Sequence, residues 1–220
     1  MSGSDILREV EESIRIEKAA RVWKEHGKTI MLVLALILIG TAAQSIWIAY
    51  KNKQNASVTS LYISALKGNN KIADLQKLGD SSHGNNSSLA TLTAAALSVE
   101  KQEWENSILL YGQVANDKSA PSLYRDLAIV QLSVIKLDHD KKTSQIDLLK
   151  LIAPVIKDKK SPWYIRAIFT SALIKANYGD IKDARSDLGI ILSYPNIPEN
   201  FLEQVKALDE VYKIKQGVVK

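Results

Sequence analysis

The sequence predicts an all-α protein: a solenoid of repeated helix pairs preceded by a single transmembrane helix. Three observations carry that expectation. The 22 residues 29–50 hold no charged side chain. Beyond them, apolar residues recur at helical spacing almost to the C-terminal end. No alternating run of β-branched residues of useful length is left over for a sheet.

The N-terminal residues 1–28 hold six basic and six acidic side chains. Residues 4–26 read as an amphipathic helix: Ser4 can cap it, Ile6, Val10 and Ile14 repeat at i+4, and Leu7 lies beside them. Acids fill its first half and bases its second, which suits the helix dipole. It serves either as a small cytoplasmic contact helix or as a stretch lying on membrane lipid.

Residues 29–50, TIMLVLALILIGTAAQSIWIAY, make a helix of roughly 33 Å, matching a hydrocarbon core of about 30 Å. Gln44 is the strongly polar side chain, placed toward the C-terminal end. Trp23 stands before the span, and Trp47 and Tyr50 at its far end, as interfacial aromatic belts do. A cleaved signal peptide fits less well, although Thr41-Ala42-Ala43 has the small side chains of a cleavage site. Its leading region would carry 28 residues with six acids, where signals have a short basic one. Flanking cations set the orientation. Arg15, Lys18, Arg21, Lys24 and Lys28 precede the span, and Lys51 and Lys53 follow it. That bias puts the N-terminus in the cytoplasm and residues 51–220 across the membrane.

The helical pattern continues past Lys51 to Lys67, with Val58, Leu61, Tyr62, Ala65 and Leu66 forming one apolar face. Gly68-Asn69-Asn70 breaks it. A short helix over 71–78 follows, then a polar loop over 80–88. Seven helical segments come next: 89–101, 104–117, 121–137, 144–157, 161–178, 181–193 and 198–215. Pro121 and Pro162 stand near helix starts, where a missing N–H costs nothing. Gly179 stands just past a helix end, the usual left-handed position.

These segments pair into repeats of about 34–41 residues. Residues 101–114, KQEWENSILLYGQV, and 178–191, YGDIKDARSDLGII, compare directly. In each, a turn leads to a bulky residue (Trp104, Ile181), then a small one (Ser107, Ala184), then another bulky one (Tyr111, Leu188). The small residue marks a close helix crossing, and the bulky ones fill the groove between neighbouring pairs. This resembles the tetratricopeptide repeat, best in the last repeat, less in 89–117, and least in the middle one. There Pro154 interrupts the second helix and no Gly-Asp turn exists. A generic helical bundle is the alternative.

The layout as a whole resembles a known family. The N-terminal DILREVEESIRIEKAARVWKEHGK runs directly into the anchor. Ala120-Pro-Ser-Leu-Tyr-Arg-Asp-Leu-Ala128, Ser161-Pro-Trp-Tyr-Ile-Arg166, the Gly179-Asp180 repeat and Tyr194-Pro195-Asn196-Ile197-Pro198 follow in order. Together they resemble the YfgM-type ancillary subunits of the SecYEG translocon, in their alphaproteobacterial branch. The resemblance implies a single-pass inner-membrane protein with a periplasmic repeat domain. It implies contact with the translocon and with the membrane-anchored periplasmic chaperone PpiD. Ser107 replaces the usual Ala, and the insert 80–88 is unusually rich in Ser and Asn. A sibling group, the periplasmic cell-division coordinators, is the runner-up; those are typically secreted rather than anchored.

Composition and motifs exclude much else. The chain has no Cys, which removes disulfides, thiol nucleophiles and thiolate metal sites. The net charge of +5 is dispersed without a continuous basic face, so nucleic-acid binding is not expected. GxSxG, HExxH, P-loop and GxGxxG motifs are absent, and neither a cofactor nor a small-molecule substrate is expected. The histidines His26, His83 and His139 stand far apart in sequence. Asp138-His139-Asp140 reads as a solvated turn before it reads as a weak metal site. Asn55-Ala56-Ser57 and Asn86-Ser87-Ser88 match the N-glycosylation acceptor, which matters only in a eukaryotic secretory route. Arg125 and Arg166 occupy analogous places early in two helices, as partner-facing cations or as members of internal pairs. Trp163 and Tyr164 read as packing before they read as a ligand cage. These four are the candidate partner-binding residues of a non-catalytic adaptor.

Overall fold

The computed structural model describes residues 57–81 and 84–217. The N-terminal helix over 4–26, the span over 29–50 and the first turns after Lys51 lie outside the described residues. Val58–Lys220 forms one compact unit. Among the described residues it is all helix, in nine segments: α1 (57–67), α2 (Lys71–Ser81), α3 (Asn85–Glu100), α4 (Trp104–Asn116), α5 (Ser122–His139), α6 (Gln145–Lys157), α7 (Tyr164–Asn177), α8 (Ile181–Leu192) and α9 (Glu199–Lys215).

Each helix packs on the next, and α5 also touches both α3 and α7. This is the contact pattern of stacked pairs, in which the first helix of each pair rests on its counterpart. Two faces of α5 serve two neighbours. Ala128, Leu132 and Ile135 join the core of α1–α4, whereas Ile129 and Val130 join Leu148, Ile152 and Val155 of α6 and Ala167 and Ile174 of α7. A third cluster closes the C-terminal end, with Ile168, Leu188, Ile191 and Val205 at its centre.

The small residues stand at the crossings. Ser107 and Ala184 are both fully buried, as is Leu188, and Tyr111 is nearly so. The Ser107 hydroxyl donates to the Trp104 carbonyl at 2.7 Å, so a Ser fits the alanine position without an orphaned polar atom.

The turns before α4 and α8 are the same turn. Glu103 N–H reaches back to Ser98 O at 2.8 Å and Gln102 N–H to Val99 O at 2.9 Å. Asp180 N–H reaches Lys175 O at 2.9 Å and Gly179 N–H reaches Ala176 O at 3.2 Å. This is the Schellman pattern, which needs a left-handed residue at its third corner. Gly179 supplies it at φ 92° and Gln102, lacking that freedom, supplies it at φ 61°.

Several expectations need correction. The segment 80–88 is not one loop: α2 runs on to Ser81 and α3 begins at Asn85. Its serines bond to nearby carbonyls, Ser87 to Gly79 O at 2.7 Å and Ser88 to Gly84 O at 2.8 Å. Polar composition was therefore a helix junction, with hydroxyls answering backbone groups. Pro154 does not interrupt α6, which continues through it. Its ring faces solvent, and the helix ends one turn later, so one missing N–H is tolerated. The middle turn replaces Gly-Asp with Asp140, whose carboxylate accepts from Thr143 Oγ1 at 2.6 Å and from Lys142 N–H at 3.2 Å. Ser144 then caps α6 by accepting from Asp147 N–H at 3.2 Å. Leu61 is exposed rather than part of the buried face of α1; Val58, Tyr62, Ala65 and Leu66 make that face.

Candidate interaction surface

The four candidate residues come from the starts of α5 and α7 and form two groups. In the first, the N-terminus of α7 sits against the N-terminus of α5. Trp163 Nε1–H donates to Leu123 O at 2.9 Å, and Ser161 Oγ donates to Asp126 Oδ2 at 2.6 Å. Arg125 lies on the same edge and donates to Lys118 O at 3.2 Å. It also faces Asp117, whose carboxyl is held below the ordinary carboxylate range, first by the Ser119 hydroxyl and backbone N–H and lastly by that guanidinium. In the second group, Tyr164 is buried with its ring 5.8 Å from that of Tyr194. Arg166 lies 4.3 Å above the ring of Phe201, which meets Phe169 edge-on at 5.2 Å.

All four therefore make contacts within the chain. Trp163 and Tyr164 link α7 forward and back along the array. Arg166 is exposed, with its guanidinium on an aromatic face, an arrangement that fixes a cation while leaving it open to solvent.

The opposite edge, where the turns lie, is also stitched. Trp104 and His139 stack with ring centroids 3.7 Å apart and planes 7° apart. Tyr178 OH donates to Thr143 O at 2.7 Å, and Gln145 Nε2 donates to Asp180 Oδ2. Asp138 and His139 are the last residues of α5 rather than a turn, and Asp140 follows them: the His139 ring is committed to Trp104, and Asp140 to Thr143 and, at 3.5 Å, to Lys136. Among the described residues no set of three His or acidic side chains is grouped to hold a metal ion.

Two shallow grooves flank α1. One of about 330 Å³ is lined by Leu61, Ser64, Asp74, Lys77 and Leu78. The other, about 320 Å³, is lined by Tyr62, Ile63, Asn86 and Leu89, and shares Leu78. Leu61, Ile63 and Leu89 are 54%, 46% and 40% exposed. These grooves were not expected from sequence. The signal was present, because α1 is apolar on more than the one face that its core contacts require.

An array of stacked helix pairs with shallow grooves, stitched at both edges and spaced by about 35 residues between equivalent contacts (Ser161 to Asp126, Tyr178 to Thr143), defines a helical-repeat interaction protein. Residues 21–155 match the profile of the tetratricopeptide repeat-like domain. That is more than half of the chain, and the protein belongs to this family. No curated protein and no solved structure matches the chain. The family match ends within α6, so the repeat most legible in the sequence, α7–α8, lies beyond it.

Proposed function

We propose that the protein is a membrane-anchored periplasmic adaptor, without catalytic activity of its own, that works beside the Sec translocon and a PpiD-type membrane-anchored chaperone in the bacterial inner membrane. One observation carries this reading: the uncharged stretch 29–50 leads without a glycine or proline break after Gly40 into a stacked helical array. The family match begins at residue 21, ahead of that stretch, and takes it in. Among the described residues no helix is long and apolar enough to cross a membrane; the proposed span is residues 29–50, outside them. Helical-repeat domains bind partners through extended surfaces, and a tether turns a weak solution contact into a local one, with effective concentrations of about mM for short connections.

The test is partner identification. The full chain, solubilised in mild detergent and crosslinked, is expected to recover translocon subunits and the chaperone. A flexible Gly/Ser segment inserted after Lys53 should keep the membrane location and weaken that recovery. Recovery of septal division proteins in place of translocon subunits overturns the reading in favour of a division scaffold.

A further inference from the structure

The helices alternate in direction along the array, so the starts of α1, α3, α5, α7 and α9 share one edge. Val58 and Tyr62 of α1 line a groove with Asn86 and Leu89 of α3. Trp163 reaches Leu123 between α7 and α5, and Tyr164 meets Tyr194 beside the start of α9. The uncharged stretch ends at Tyr50, seven residues before α1 begins at Ser57. Even fully extended, that length of chain spans at most about 25 Å. In the anchored arrangement proposed above, this start edge is therefore tethered within reach of the lipid headgroups. The opposite edge stands a helix length away, about 27 Å for the 18 residues of α5.

The two edges differ in charge. The first turns of α2, α4, α6 and α8, all at the far edge, each carry an acid: Asp74, Glu105, Asp147 and Asp183. The first turns of α3, α5 and α7 carry none. Around the starts of α5 and α7, residues 117–126 and 157–166 hold six cations and three carboxylates. The carboxylates are those of Asp117, Asp126 and Asp158, and they accept from Ser119, from Ser161 and from Lys160 N–H at 3.0 Å. They keep their charge, so the corner has an excess of three positive charges. At the far ends of the same helices, residues 101–105, 136–147 and 175–183 hold six lysines and seven carboxylates. The other charges of the start edge, Asp80 and Glu199, lie at its two outer ends, on α2 and α9. Lys118, Lys157, Lys159, Lys160 and Pro162 are exposed at the corner, and Leu123 is 44% exposed. Lysines beside exposed apolar side chains suit a lipid interface.

We propose that the corner made by Lys118, Leu123, Lys157, Lys159 and Lys160 packs against anionic lipid headgroups of the bilayer that holds the anchor. This inference rests on the anchored reading given above. Neighbouring helices lie about 10 Å apart, so α7 stands about 30 Å from α1. Its corner meets the bilayer only with the array lying along the surface, and the contact thereby sets the direction in which the repeats extend. Each lysine adds a modest attraction that salt screens, and the tether supplies the high local concentration that a weak contact needs.

The chain has no Cys, so an introduced thiol takes a fluorescent label at one place. Full-length Pro162→Cys, at the corner, and full-length Lys141→Cys, exposed at the far edge, are labelled and reconstituted into vesicles that carry a headgroup spin label as quencher. The vesicles are phosphatidylcholine with or without phosphatidylglycerol. With phosphatidylglycerol, quenching at position 162 is expected to be several-fold stronger than at position 141, and high salt should remove the difference. Lys157→Gln, Lys159→Gln and Lys160→Gln together should remove it too, whereas Lys101→Gln, Lys142→Gln and Lys182→Gln together should leave it. These lysines are exposed, and circular dichroism confirms that each variant is folded. Equal quenching at the two positions overturns the proposal. A difference indifferent to phosphatidylglycerol, salt and the corner lysines overturns headgroup charge as its cause. An alkaline wash separates the two readings: a chain stripped from the vesicles was never anchored, and the inference falls with the anchor, whereas a chain that stays and quenches equally overturns the inference alone.

Discussion

Replacing Gln102 by Gly should stabilise the protein. The turns before α4 and α8 have the same three backbone hydrogen bonds, and each needs one residue with positive φ, 61° at Gln102 and 92° at Gly179. For a residue with a Cβ the left-handed region costs about 1–2 kcal/mol. Glycine removes that strain but loosens the unfolded chain, which takes back about 0.4–1 kcal/mol. The net expectation is a gain of about 1 kcal/mol, or a rise of about 2–4 °C in melting temperature for a domain of this size. The reverse experiment isolates the backbone term. A Cβ placed on Gly179 meets nothing within 4 Å, so Gly179→Ala introduces strain without a clash; with the unfolded-state term now offsetting part of that strain, the net cost should be about 1 kcal/mol. Thermal unfolding of the detergent-solubilised full chain, followed by circular dichroism, reads both. Lys182→Gly, in the exposed first turn of α8, gives the cost of an added glycine without relief of strain. If Gln102→Gly destabilises as Lys182→Gly does, or Gly179→Ala is neutral, the equivalence of the two turns is wrong.

Ala184, fully buried at its crossing, should tolerate enlargement badly: Ala184→Leu is expected to cost about 1–3 kcal/mol by overpacking, far beyond exposed Lys182→Leu, and equal melting temperatures would count against the repeat register. Asp140 is held below the ordinary carboxylate range, chiefly by the Thr143 hydroxyl. A carboxylate lowered on folding contributes stability at neutral pH that is lost as pH falls below its ordinary value and through the folded one; Asp140→Asn should therefore flatten the acid limb of a stability–pH profile, and an unchanged slope refutes the role. For topology, a reporter fused after Lys220 should be active only in an exported compartment; activity in the cytoplasm, or a mature chain beginning near Gln44, rules out the anchor as drawn.

Helix positions were legible because apolar spacing, prolines near helix starts and the Gly179 turn each carry a local physical signal. The small–bulky pattern at Ser107 and Tyr111 and at Ala184 and Leu188 located the crossings. Three features were hidden for identifiable reasons. The Ser and Asn side chains of 80–88 look like a loop by composition, but their hydroxyls satisfy carbonyls at a helix junction. Pro154 has the composition of a break, yet its place one turn from the end of an exposed helix face makes it harmless. The internal partners of Arg125 and Trp163 are backbone carbonyls, Lys118 O and Leu123 O, and no residue type in the sequence announces a carbonyl. Leu61 was read into the buried face of α1 and stands exposed beside Ile63, because apolar spacing marks a stripe without saying how much of its width the core covers.

Two junctions of the array differ in kind, and that difference has a mechanical consequence. Between α5–α6 and α7–α8 the pairs are joined by Ser161 to Asp126, Trp163 to Leu123, Tyr178 to Thr143 and Gln145 to Asp180. Between α3–α4 and α5–α6 they meet through apolar side chains and the Trp104–His139 stack. A directional bond resists any sliding, whereas stacked rings and greasy faces shear by small steps at little cost. The N-terminal helices are bonded across as well, Tyr62 to Thr93 and Gln76 to Asn106, so under load the molecule should behave as two stiff blocks with a compliant seam between α3–α4 and α5–α6. A force applied at α9 would be transmitted intact as far as α5, and the strain would be taken up between Trp104 and His139.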